Sequence, residues 1–96
     1  MNGYSIQRLE SLAQEIETKV AAIIDGTIKP YDQDLHAWAT KEFAVLPSMM
    51  ESQADALLEA CTACLVDILS CDNASWDTPR NGFEASLARL RESLPR

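Results

Sequence analysis

The sequence predicts an all-α chain: a compact antiparallel bundle of about four helices, one domain over residues 1–96, with a long central helix over about residues 48–71. Three observations carry that expectation. Apolar residues recur at alternating steps of three and four, which sets them on one face of a 3.6-residue period. Hydrophobic residues make up 47% of the chain but aromatics only 6%, so Ala and Leu dominate, as in helices packed on helices. Gly26, Pro30, Pro47 and Pro79 fall at the borders of the periodic stretches, where turns are needed.

The first helix has Ser5 as its expected N-cap, with Tyr4 and Leu9 spaced as a hydrophobic staple. Its stripe is Ile6, Leu9, Ala13, Ile16, Val20 and Ile23, widened by Leu12 and Ile24. Gly26 can end it, because glycine adopts the left-handed backbone at low cost. Pro30 then disfavours helix at Lys29. A second helix capped by Asp32 or Asp34 carries Leu35, Trp38, Ala39, Phe43 and Leu46, and Pro47 stops it.

Ser48 and Glu51 have the spacing of a capping box, and the helix they would open is the central one. Met50, Ala54, Leu57, Cys61, Cys64, Ile68 and Cys71 form its seam, with Leu58, Leu65, Val66 and Leu69 as a second apolar flank. So broad an arc must touch more than one neighbour, and it is wide enough for a homodimer. A polar loop over residues 72–79 carries Trp76. The last helix starts either at Thr78, with Pro79 at its first position, or at Asn81, and presents Phe83, Leu87, Leu90 and Leu94.

Charge is distributed unevenly. Between Lys41 and Arg80 there is no basic residue, yet there are seven acids: Glu42, Glu51, Asp55, Glu59, Asp67, Asp72 and Asp77. The remaining residues hold eight acids and eight bases, so the net charge of −7 arises in that segment alone. A localised negative field attracts cationic surfaces and repels nucleic-acid backbones and anionic lipid. Three cysteines, an odd number without a secretory leader, fit a reducing cytoplasm. No uncharged apolar run approaches the roughly 20 residues of a membrane span.

Cys61 and Cys64 form a C-x-x-C motif, but they lie well inside the expected helix and on its buried seam. A redox motif needs its first sulfur at a helix N-terminus, where dipole and amides favour thiolate. These cysteines are therefore expected to be small core hydrophobes. A zinc set would require Cys61, Cys64, Cys71 and the lone His36, which the spacing does not assemble. His36 has acidic neighbours but no nucleophile tied to it, and the chain contains no phosphate-binding glycine loop. No catalytic residue, metal or cofactor is expected.

Glu51, Asp55 and Glu59 stand at successive i,i+4 positions. Like charges so placed destabilise a helix by a few tenths of a kcal/mol per pair. They form a solvated face that keeps the protein soluble, or one neutralised by Arg80, Arg89 and Arg91 of the last helix packing antiparallel, or a partner-binding face. Trp38 shares a face with Leu35 and is expected in the core, whereas Trp76, in a polar loop, is placed to contact another chain. The expected partner-binding residues are thus Glu51, Asp55, Glu59 and Trp76. The functional expectation is a small acidic inhibitor, antidote or adaptor that occludes a basic surface of another protein. The alternative is a structural or chaperone-like subunit of a larger helical assembly.

Overall fold

The structure, a computed structural model, describes residues 2–49, 55–71 and 77–94. Among these it contains four α-helices, α1 (Asn2–Asp25), α2 (Gln33–Val45), α3 (Asp55–Ser70) and α4 (Asp77–Ser93), a 3-10 turn at Leu46–Met49, and no strand. The radius of gyration, 12.9 Å, is that of a compact domain of this length, about 12 to 13 Å.

The ends of the helices follow from local chemistry. Gly26, at φ +90°, terminates α1. Its amide donates to the Ile23 carbonyl at 3.2 Å while the Thr27 amide donates to that of Ala22 at 2.8 Å, the paired bonds of a Schellman motif. Of the two acids able to cap α2, Asp32 does so: its Oδ1 accepts from the Leu35 amide at 3.0 Å. Ser5 is no cap, because α1 already runs from Asn2. Serine inside a helix costs only tenths of a kcal/mol, so a capping residue alone does not force a start. Likewise α4 begins at Asp77, before both expected starts. Pro79 falls in its first turn, where an amide would have no intrahelical acceptor. Ser48 lies in the 3-10 turn, and Glu51 lies outside the described residues.

Cross-helix contacts set the topology. Lys19 of α1 lies over Trp38 of α2, Asp67 of α3 meets Ser86 of α4, and Glu17 of α1 meets Arg91 of α4. Glu59 of α3 also meets Arg89 of α4, so positions along α3 and α4 run in opposite senses. The bundle is up-down-up-down, with α3 packed on α1, α2 and α4.

The core is the expected set of stripes. Leu9, Ala13, Ile16, Val20 and Ile23 of α1 meet Leu57, Cys61, Cys64, Leu65 and Ile68 of α3, closed by Leu35 and Ala39 on one side and Phe83, Leu87 and Leu90 on the other. Two expectations fail: Val66 is 42% exposed and Phe43 38%. Trp38 packs against the core, partly buried, its ring under the Lys19 ammonium at 4.8 Å. Val66 is nine residues from Leu57, which puts it roughly 180° round the helix from the core. Phe43 lies at the α2–α3 seam, near Leu58 and Thr62.

The adjacent pair Leu65 and Val66 tests this arrangement. Leu65→Ala should destabilise the chain by about 2 to 5 kcal/mol in urea unfolding, because it opens a cavity in the core. Val66→Ala should cost under about 1 kcal/mol. Equal losses would mean that α3 is rotated from the position described.

Candidate functional site: the solvent arc of α3

Sixteen residues of α3 contain three acids and no base. The side facing the core leaves an outward arc formed by positions 55, 59, 62, 66 and 70, of which Glu59, Val66 and Ser70 are exposed. Glu59 has 74% of its side chain in solvent. Asp55 occupies the same arc one turn earlier, whereas Glu51 and Trp76 lie outside the described residues. The four expected binding residues are therefore represented by Glu59 and by the helical position of Asp55.

Asp67 belongs to a different environment. It is half-buried on the α4 side, where Ser86 Oγ donates to Oδ2 and Gly82 lies one helical turn before Ser86. This acid fixes the α3–α4 seam and does not join the outward arc. Ser86→Ala would leave a half-buried carboxylate short of a donor and should cost about 1 to 3 kcal/mol by urea unfolding. A loss near zero would mean that water replaces the hydroxyl.

Among the described side chains, one α4 arginine pairs with an acid of the arc. Arg80 bonds Glu84 of its own helix at 3.3 Å, and Arg91 reaches Glu17 of α1 at 3.7 Å. Arg89 approaches an acid of the arc, at 4.0 Å from Glu59, with both side chains more than 60% exposed. Such a pair is solvated and screened, so it leaves Glu59 available to another cation.

Among the described residues no nucleophile or metal set forms at this face. Cys61, Cys64 and Cys71 are buried thiols, and burial pushes Cys61 and Cys64 up to about 12, the neighbouring Cys61 and Asp67 adding to the effect on Cys64. A thiol held neutral is not a nucleophile. His36 lies apart from them, its Nε2 3.2 Å from the Pro30 carbonyl oxygen, which can only accept and so fixes the Nε2–H form. Among the described residues no three His, Cys, Asp or Glu side chains converge as metal ligands, and no helix is long and apolar enough to cross a membrane.

One further feature of this face escaped the sequence analysis. A groove of about 220 Å³ runs between α2 and α3, lined by Phe43, Leu46, Pro47, Leu58 and Thr62. It borders the acidic arc through Thr62, which stands one turn before Val66. The spacing of Phe43 to Pro47 and of Leu58 to Thr62 could have signalled it, each being an i,i+4 pair at a helix border. No family model, curated protein or solved structure matches the chain.

The thiols give a test of burial with a definite sign. Their folded-state values lie above the ordinary 9.0, so the native chain holds these protons more tightly than the unfolded chain does. Their contribution to stability is complete below about pH 9 and is lost as pH rises towards about 12. The alkaline decline in stability should be shallower in Cys61→Ala/Cys64→Ala than in the parent, and iodoacetamide should label the native chain far more slowly than the urea-unfolded one. Rapid native labelling would show that the seam is open.

Proposed function

We propose that the protein is a small acidic binding module that covers a basic surface of a partner protein, such as a surface that itself holds nucleic acid, and catalyses no reaction. The observation that carries this reading is the base-free, acid-bearing arc of α3. Positions 55 and 59 stand one turn apart with like charge, which folding alone disfavours. Glu59 is exposed and loosely paired, so a cation on a partner would gain an interaction without breaking a buried one. Trp76, in the same base-free segment, is the aromatic anchor of the proposal, and the setting is a reducing cytoplasm. The second reading, a subunit of a helical assembly or a homodimer, draws on the exposed Phe43 and Val66.

Affinity capture with the chain as bait, followed by cross-linking and mass spectrometry, separates the two. The triple reversal Glu51→Lys, Asp55→Lys, Glu59→Lys should keep the helical circular dichroism and lose a partner that bears a basic surface. Association with that partner should slow as salt rises, because exposed charges are screened beyond about 8 Å at physiological ionic strength. Capture indifferent to both the reversal and salt would refute the acidic reading and assign recognition to apolar surface, with Trp76→Ala the next variant.

A further inference from the structure

Beside the acidic arc the molecule presents an apolar strip that its own helices do not cover. Phe43 and Val66 are two of the three large hydrophobics exposed among the described residues; Phe43 lines the α2–α3 groove, and Val66 lies one helical turn past Thr62, which also lines it. The polar residues of the strip have their donors engaged within their own helices. Thr62 Oγ1 donates to the Leu58 carbonyl and Thr40 Oγ1 to the His36 carbonyl, each at 2.8 Å. What the two threonines leave for a visitor is mainly methyl surface. His36, on the same side of α2, is held by Pro30.

The α3 side of the groove carries acids and no base. Leu58, Thr62 and Val66 run along α3 at i, i+4 and i+8, a length of about 12 Å. Glu59 stands beside them, and Asp55 precedes it on the same arc. Lys41 of α2 is two residues from Phe43 and so about 160° away round the helix. Arg89 lies on the other side of Glu59, towards α4.

We infer that the α2–α3 groove takes an amphipathic helix of the partner, its apolar side seated along Phe43, Leu46 and Leu58 and continuing towards Val66, and its flanking lysines or arginines set against Glu59. This rests on the reading of the acidic arc given above and specifies the element recognised. A groove between two antiparallel helices accepts a third helix whose anchors recur at three and four residues. A second copy of this chain docking through the same face would bring one Glu59-bearing arc against another, which like charge opposes. An anionic lipid surface is opposed by the same field.

The test uses the full chain and three synthetic peptides of about fifteen residues, four turns of helix. One is a Leu/Lys amphipath, one a Ser/Lys peptide of equal charge, and one a Leu/Glu peptide with the same apolar side. Binding is followed by titration calorimetry and by amide shifts of the 15N-labelled protein. The Leu/Lys peptide should bind saturably and shift the amides of Phe43, Leu58, Thr62 and Val66. Thr62→Gln and Val66→Gln, both at solvent-accessible positions and neutral, should each weaken it roughly tenfold, as loss of an apolar anchor does. Glu59→Gln should weaken it at low salt only.

Equal binding of Ser/Lys and Leu/Lys, unaffected by Thr62→Gln, would overturn the groove while leaving the acidic reading standing. Equal binding of Leu/Glu and Leu/Lys would overturn both. So would the absence of saturable binding by any peptide. Concentration-dependent dimerisation that Val66→Gln abolishes in sedimentation would give the groove to a second copy and overturn the inference.

Discussion

Small side chains where α3 meets its neighbours are the constraint on which the rest of the bundle depends. Ala60, Cys61 and Cys64 are wholly or almost wholly buried on a helix that packs against three others. A helix surrounded in this way cannot carry large residues throughout its buried arc without pushing its neighbours apart. Leu57, Leu65 and Ile68 supply bulk towards α1 and α2, while alanine and cysteine let the remaining backbones approach. Sulfur suits such a seam because a buried thiol behaves as a compact apolar group with a weak donor. The chemistry that a C-x-x-C motif would offer elsewhere is suppressed by the same burial, since thiolate would be formed without solvent.

Once α3 is enclosed on three sides, its polar residues are confined to two places. One is the α4 border, where Asp67 is answered by Ser86 and becomes part of the packing. The other is the outward arc, where acids have solvent for a partner and Arg89 only at the limit of an ion pair. The first acid is structural and the second is available, although the two look alike in the sequence. Burial and a hydrogen-bond partner distinguish them, and both are properties of the assembled bundle.

The parts of this structure legible in the sequence are those fixed by local periodicity. The stripe from Leu9 to Ile23, the seam from Leu57 to Cys71 and the stop at Gly26 follow from spacing and backbone preference, and all are found. Helix starts were less legible. Ser5 and Asn81 have the chemistry of caps, but a cap is one small term in a cooperative helix, and neighbouring turns override it. The Asp67–Ser86 bond joins residues nineteen apart on different helices, so no periodic rule pairs them. Val66 is a different case: its angle from Leu57 was available from the sequence, and including it in the apolar flank gave hydrophobicity more weight than direction. Of the expected binding face, Glu59 is where the pattern placed it; Glu51 and Trp76 lie outside the described residues.

Acids and apolar groups compete for the outward side of a helical bundle in opposite ways. Exposed carboxylates favour solubility and accelerate encounter with a cationic partner, yet alone they give associations that salt dissolves. Exposed apolar groups give lasting contacts but little orientation, and they invite self-association. Setting Glu59 beside Leu58, Thr62 and Val66 combines the two on one face of α3. In the proposed complex the acid would oppose a second copy at the apolar strip, and the strip would supply the desolvated area that an ion pair in water lacks. Because the threonine donors are held within their own helices, the strip itself offers little hydrogen-bond specificity. Discrimination must then come from shape along the groove and from the sign of charge beside it, and those are the two properties that an apolar helix with a basic flank would match.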